Sequence, residues 1–133
     1  MSAYGEYVTE FDNAEMLVEC LKEMGFSEVL YNPVAQHLTG YHGDKRAQTA
    51  EIIVPRRVVG SASNDIGFKL GTDGKYKAII SQFDSHTYDA AWQTRLANNY
   101  AEKKTMKAAK RAGLKFLGKK VVNGKIKLEF QKN

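Results

Sequence analysis

The sequence predicts an α+β fold in which a mainly antiparallel β-sheet carries two α-helices packed on one face. Two stretches alternate apolar and polar residues on either side of a glycine-containing turn, a pattern typical of β-hairpins. Two other stretches repeat apolar residues every three or four positions, as amphipathic helices do. The turns between most elements are tight and leave room for only one or two crossover connections, so the strands are expected to run antiparallel.

A strand and a helix are expected in the N-terminal part of the chain. The strand spans residues 4–11, and Asp12 is expected to cap the helix with Glu15 as its capping-box partner. Gly25 then ends the helix in the C′ position. The apolar residues of this helix share one stripe with a period of about 3.6 residues: Met16, Leu17, Cys20, Leu21 and Met24.

Three short strands are expected next. One lies near residues 28–31, and a second ends near Tyr41. The third is the apolar segment of residues 50–54, which Pro55 stops because proline cannot donate a ladder hydrogen bond.

A hairpin follows the predicted loop of residues 56–64. Residues 66–70 and residues 76–80 both alternate apolar and polar side chains, and the segment Thr72-Asp73-Gly74 turns the chain between them. This is the clearest strand pair that the sequence predicts.

A long helix is expected at residues 89–112, with Gly113 in the C′ position. Its buried stripe should consist of Trp92, Leu96 and Tyr100. We expect this stripe to pack on the sheet beside three hairpin residues: Ile66, Phe68 and Ile80. In the last two turns, lysines occupy the positions on the helix that continue this stripe, so that face cannot be buried there. Those turns are therefore expected to extend past the sheet or to rotate Met106 and Ala109 inward. A final hairpin follows, with Asn123-Gly124 as a type I′ turn.

Length and composition indicate one globular domain over residues 1–133. Hydrophobic residues make up 43% of the chain and charged residues 26%, which excludes a disordered protein. The only cysteine, Cys20, cannot form an internal disulfide and is expected to fill the core in a reducing compartment. No secretory signal or membrane-spanning run is apparent, so we expect a cytoplasmic protein without a membrane partner.

Charge is distributed unevenly along the chain. Residues 1–31 carry seven acidic side chains against Lys22 alone, whereas residues 103–133 carry eleven basic side chains against Glu129 alone. Such separation indicates either contact with nucleic acid or a membrane surface, or packing of the two ends against each other. Because the apolar residues of the basic segment are mostly alanine, a membrane contact is the weaker hypothesis.

The segment LTGYHGDKRAQTAEIIV, residues 38–54, looks most like a ligand-binding motif. Gly40 and Gly43 are too close together for a Walker A loop, and the residues that follow favour a strand rather than a helix. Gly43-Asp44 suits a turn in which the glycine takes a positive φ angle. We interpret the segment as strand, turn and strand, with a ligand loop as the alternative.

Four short patterns in the chain resemble, in their order and spacing, a family of uncharacterised proteins of about this length. The patterns are Gly40-Tyr41-x-Gly43, residues 50–54, Asp65-Ile66-Gly67-Phe68 and Arg95-Leu96-x-x-x-Tyr100-Ala101. The family, known as hypothetical chloroplast reading frame thirty-five, occurs in plastids, cyanobacteria and phages. In its divergence and compact length this chain resembles the phage members more than the plastid ones. The resemblance implies no catalytic residue. The family's Asp-Trp-Trp segment is replaced here by residues 81–86, so binding through those tryptophans is not expected of this chain.

An active site is not expected. His37 and His42 point to opposite faces if their segment is a strand, so we expect no metal site and no cofactor. The run Asp84-Ser85-His86 contains the residue types of a nucleophile triad, but consecutive residues rarely converge, and we interpret Asp84, Ser85 and Thr87 as helix caps. An enzyme that uses the loop of residues 41–46 and His86 is therefore our third hypothesis.

The basic segment of residues 103–127 is the strongest functional signal. Its lysines are rarely interrupted by aromatic residues, which favours contact with a phosphate backbone over recognition of bases. We predict a small binding or accessory module without catalysis that contacts nucleic acid. The alternative is a protein–protein adaptor that docks an acidic surface. A solvated face that only aids solubility would also account for the charge. The candidate residues are Lys103, Lys104, Lys107, Lys110, Arg111, Lys115, Lys119 and Lys120.

Overall fold

A computed structural model describes residues 2–132 and has an α+β architecture. Its elements are β1 (Tyr4–Val8), α1 (Ala14–Glu23), β2 (Leu30–Thr39), β3 (Lys45–Val54), α2 (Arg56–Val59), β4 (Ile66–Leu70), β5 (Tyr76–Ser81), a 3₁₀ helix (Asp84–His86), α3 (Ala90–Arg111), β6 (Leu114–Val122) and β7 (Lys125–Lys132). Strands β1 to β5 form one sheet in the order β1-β5-β4-β3-β2, and every neighbouring pair is antiparallel. The predicted fold class is confirmed, and β6 and β7 form a separate two-stranded hairpin.

One face of the sheet packs against α1 and α3. The stripe predicted on α3 is buried, with Trp92, Leu96 and Tyr100 at most 5% exposed. These three residues belong to the same buried cluster as three sheet residues, as predicted: Ile66, Phe68 and Ile80. Cys20 of α1 lies in this cluster, and burial raises the pKa of its thiol to about 11, so the thiol is core filler rather than a nucleophile.

A second, smaller cluster lies on the opposite face of the sheet. Leu38, Ala50, Ile53 and Ile79 form it, and alternation along β4 directs Gly67 to the same face. A Cβ atom at Gly67 would lie 2.9 Å from the Cβ of Ala50 and 3.0 Å from a methyl carbon of Leu38. Glycine is therefore required there by close packing rather than by backbone conformation.

Two predicted strands are in fact one. The chain from Leu30 to Thr39 forms the single edge strand β2, although the hydrogen-bond ladder to β3 is irregular between Tyr31 and Gln36. Pro33 lies in that irregular stretch, and an edge strand tolerates proline because one of its sides needs no ladder partner.

Two strand boundaries and one loop also differ from the prediction. β1 ends at Val8, three residues early, and β3 begins at Lys45 and is twice as long as expected. The loop predicted at residues 56–64 contains the four-residue helix α2. The two strand differences lie at element ends, where assignments commonly vary by a few residues. The helix α2 is an additional element that the sequence pattern did not indicate.

The N-cap of α1 is also different from the prediction. The side chain of Asn13, not that of Asp12, accepts the hydrogen bond from the Met16 amide, at 2.9 Å. The C′ glycines are confirmed, because Gly25 and Gly113 both have positive φ angles, of 115° and 76°.

Candidate functional site

The basic half of α3 lies beside the acidic helix α1. Lys103 forms ion pairs with Glu19 at 3.4 Å and Glu23 at 2.5 Å, and Lys107 pairs with Glu19 at 3.2 Å. Lys104 reaches Asp12, 3.3 Å away, just before α1. Two of the lysines that continue the buried stripe of α3, Lys103 and Lys107, therefore meet carboxylates, and Ala109 is buried as expected.

The contact between α1 and α3 shifts the pKa values of charged groups on both sides. The hydrogen bond from Lys107 lowers the pKa of Glu19, and the hydrogen bond to Glu23 raises the pKa of Lys103. The pKa of Asp12 is lowered first by the hydroxyl of Tyr100 and then by Lys104. Part of the charge separation in the sequence is thus balanced inside the fold, where the two oppositely charged helices pack together.

A type I′ turn closes the hairpin of β6 and β7, as predicted. Its central residues Asn123 and Gly124 have φ angles of 52° and 76°. One face of the hairpin is directed toward α3, where Phe116 and Phe130 line a groove and Lys119 pairs with Glu102 at 3.3 Å.

The other face of the hairpin is basic and exposed. Alternation along the two strands places four lysines on it: Lys115, Lys120, Lys125 and Lys127. We call these four residues the outer lysine face. Lys120 lies directly opposite Lys127 in the ladder, an arrangement of like charges that destabilises a strand pair. Glu129 offsets it through a 2.8 Å ion pair with Lys120.

The eight residues predicted from the sequence thus fall into two groups. Lys103, Lys104, Lys107 and Lys119 form ion pairs with acidic residues of α1, α3 or the segment before α1. Lys110, Arg111, Lys115 and Lys120 are exposed at the end of α3 and on the hairpin, and in the described residues 2–132 the first three form no ion pair. Lys125 and Lys127 extend this second group, and their place in the alternating strand pattern was the signal for them.

The segment of residues 38–54 is a turn between two strands, as we interpreted it. The Gly43 amide donates to the Gly40 carbonyl at 2.9 Å, and Gly43 has a φ angle of 78°. The Gly40 amide donates to the Asp44 carbonyl at 2.8 Å, which closes the turn.

Asp84, Ser85 and His86 do not form a nucleophile relay. The Asp84 carboxylate accepts from Ser81 rather than from His86, and the Ser85 hydroxyl donates to the Gln82 carbonyl at 2.7 Å. The predicted capping role is wrong as well, because Asp89 caps α3 by accepting from the Trp92 amide at 2.9 Å. These residues instead begin a 3₁₀ turn that precedes the helix.

A buried polar cluster, which the sequence analysis missed, lies where β4, β5 and the 3₁₀ helix meet. Asn64, Ser81 and Asp84 are at most 3% exposed. Asp84 Oδ2 accepts from the Asn64 amide at 2.9 Å and from the Ser81 hydroxyl at 2.8 Å. The Asn64 side chain donates to Ser81 Oγ at 3.0 Å and accepts from the Tyr41 amide at 2.8 Å.

Asp65 extends this cluster toward α2. Its two carboxylate oxygens accept from the amides of Thr39 and Arg56, both at 2.7 Å. Burial raises the pKa of Asp65, while these two hydrogen bonds act in the opposite direction. The cluster joins loops and strands, and the polar run before β4 was the only sequence signal for it.

The described residues contain no metal-binding group. Among residues 2–132, no cluster of three or more His, Cys, Asp or Glu side chains is close enough to hold a metal ion. None of the helices in that range is both long and apolar enough to cross a membrane.

Fold and charge together define a small α+β protein with an internally paired acidic and basic helix and an exposed basic hairpin. Comparison with protein families gives a match over residues 20–128 to the family described as protein of unknown function DUF1257, and the chain belongs to this family. The expected membership of an uncharacterised family is confirmed at that level. The chain matches no curated protein and no solved structure.

Proposed function

We propose that this protein is a non-enzymatic accessory module that binds the phosphate backbone of nucleic acid through its C-terminal hairpin. The contact residues are the outer lysine face together with Lys110 and Arg111. The observation that carries the proposal is the opposition of Lys120 and Lys127 in an exposed ladder. A bound phosphate between these two ammonium groups would relieve their repulsion, so anion binding and hairpin stability reinforce each other.

Burial and pairing support this choice of surface. The acidic residues of α1 engage Lys103 and Lys107, so those lysines would have to give up existing partners before they could contact phosphate. Within residues 2–132, the outer lysine face carries four ammonium groups and one carboxylate, that of Glu129. A surface of lysines without stacked aromatic rings suits binding that tolerates any base sequence.

The setting of this function is part of the proposal. The residue patterns shared with phage members of the plastid reading-frame family favour a phage-encoded protein that acts in the host cytoplasm. Nucleic acid is abundant there, and a sequence-tolerant binding module would meet it without a dedicated targeting signal.

Titration of labelled duplex DNA, single-stranded DNA and RNA at two salt concentrations tests the proposal. If the outer lysine face engages about four phosphates, the log–log salt slope on duplex DNA is about −3 to −4. The double variant Lys120→Ala/Lys127→Ala should flatten that slope by about two units and weaken binding to all sequences alike.

A matched control separates the hairpin from overall charge. Lys22→Ala/Lys45→Ala removes the same charge from exposed positions on α1 and β3, and should leave the slope unchanged. Equal losses in the two double variants, or no micromolar binding at low salt, would overturn the proposal. In the second case an acidic protein surface becomes the better candidate partner, as an adaptor would require.

A further inference from the structure

A pocket of about 280 Å³ opens beside the buried polar cluster. Four segments that are distant in sequence meet there: the residues before β1, the turn after β2, the loop before β4 and the residues after β5. The pocket is lined by Ser2, Tyr41, His42, Ala62, Asn64 and Phe83. It is separate from the outer lysine face, and neither the ion pairs nor the hairpin uses any of these residues.

Hydrogen bonds hold the walls of the pocket in place. Asn64 accepts from the Tyr41 amide at 2.8 Å on one side and is anchored to Asp84 at 2.9 Å on the other. The Phe83 amide donates to the Ser2 hydroxyl at 2.8 Å. A pocket that is already formed loses little conformational entropy when a ligand enters, which favours binding.

Aromatic rings dominate the lining. Tyr41 is 47% exposed and Phe83 is 52% exposed, so both rings present surface at the border of one concave site. The guanidinium of Arg56 donates to the Tyr41 carbonyl at 2.7 Å and lies 5.9 Å from the centre of the Tyr41 ring. These two contacts hold the tyrosine in place. The His42 ring lies 4.8 Å from the Tyr41 ring.

Size and polarity restrict the ligand. The volume is close to the lower end of the range of roughly 300–1,000 Å³ for small-molecule sites, which suits a single ring system. Among residues 2–132, the lining contains no Asp, Glu, Lys or Arg side chain, which favours a neutral ligand. The imidazole of His42 and the hydroxyl of Tyr41 can donate and accept hydrogen bonds at the edge of a ring.

We propose that this pocket binds a small, neutral, planar heteroaromatic ring of the nucleobase type, stacked against Phe83 and Tyr41. Stacking of a base on an aromatic side chain is tolerant of base identity because every base has a π face. The ring could come from a free nucleoside or from an unpaired base of a nucleic-acid strand, and the two sources share the same contacts.

Titrations followed by ¹H–¹⁵N NMR, with adenosine and cytidine as probes, test this proposal on the full chain. We expect shifts of the Tyr41 and Asn64 amides, and Phe83→Ala should weaken binding by about tenfold or more. Tyr31→Ala is the matched control, because Tyr31 is 53% exposed on the edge strand β2 and should not affect binding.

A short single-stranded oligonucleotide and its abasic equivalent distinguish the two sources. Tighter binding of the normal strand, with the difference abolished in Phe83→Ala, assigns the pocket to a base within a strand; nucleoside binding without such a difference assigns it to a free ring. No amide shift with either nucleoside at millimolar concentration, and no difference between the strands, would overturn the proposal. Lys120→Ala/Lys127→Ala should leave nucleoside binding intact, so this outcome is independent of the hairpin function.

Discussion

The hydroxyl of Tyr100 donates a 2.7 Å hydrogen bond to Asp12 Oδ1, although the two residues are 88 positions apart in the chain. The Tyr100 hydroxyl oxygen also accepts hydrogen bonds from the backbone amides of Asp12 and Asn13, at 3.1 and 3.0 Å. One side chain of α3 therefore satisfies the backbone that leads into α1. This contact explains why Asp12 is unavailable as the N-cap and why Asn13 takes that role.

Tyr100→Phe should therefore destabilise the protein by about 1–3 kcal/mol, because two amides and a carboxylate lose their partner while the ring still packs. Chemical denaturation measures the free energy of unfolding. Tyr31→Phe removes a hydroxyl from a ring that is 53% exposed and should change stability little. Equal effects of the two substitutions would mean that the Tyr100 hydroxyl does not stabilise the junction.

Leu96→Ala should cost about 2–5 kcal/mol, because Leu96 is 1% exposed at the centre of the α3 stripe and its loss leaves a cavity. Leu117→Ala, at a residue 54% exposed on the hairpin, is the control and should be nearly neutral. Thermal unfolding of both variants decides the matter. An unchanged melting temperature for Leu96→Ala would contradict the packing of α3 on the sheet.

Gly67→Ala tests the smaller cluster on the second face of the sheet. The added methyl group would lie 2.9 Å from the Cβ of Ala50, so the strands must shift, at a cost of about 1–3 kcal/mol. Gly5→Ala on β1 is the matched control, since its added Cβ meets only the flexible end of the Tyr7 side chain. If both variants unfold at the same denaturant concentration, the close approach at Gly67 does not exclude a larger side chain.

Acidification should remove the contribution of the α1–α3 ion pairs. Lys107 lowers the pKa of Glu19 below its ordinary value of 4.5, so Glu19 stabilises the fold above that pH and loses its effect as the pH falls through the lowered pKa. The pairs are partly exposed, so Glu19→Gln should cost at most about 1 kcal/mol at about pH 7.

Melting curves of the wild type and Glu19→Gln over a pH series provide the measurement. Their difference should be present at about pH 7 and vanish once the pH is below the lowered pKa of Glu19. Glu6→Gln, on the exposed side of β1, should show no such pH-dependent difference. A Glu19→Gln effect that persists in acid would show that the side chain acts by packing rather than by charge.

Asp84→Ala should be among the more damaging polar substitutions. Asp84 is 2% exposed, and its removal leaves the Asn64 amide and the Ser81 hydroxyl without their acceptor. The free energy of unfolding should fall by about 1–3 kcal/mol. Ser85→Ala removes only a hydrogen bond to Gln82 and should be mild. Hydrogen exchange at the Asn64 amide would accelerate in Asp84→Ala, and protection equal to that of the wild type would argue against the network.

Local patterns in the sequence were enough to predict the two longer helices, α1 and α3, and the hairpins. The Asn123-Gly124 turn, the C′ glycines Gly25 and Gly113 and the stripe of α3 each depend on residues within a few positions of one another. Backbone propensity and side-chain periodicity act at that range, so the sequence alone determines them.

Choices between distant partners were decided only by the tertiary structure. Asp12 and Asn13 are both good cap residues, and Tyr100 determines which of them caps α1. From the sequence alone, Lys103 is expected to be solvated, but in the fold it forms ion pairs with Glu19 and Glu23 of α1. The buried cluster around Asp84 and the aromatic pocket beside it likewise join segments with no shared periodicity. The physical reason is the same in each case: hydrogen bonds and ion pairs form between groups that meet only when the sheet and helices have packed.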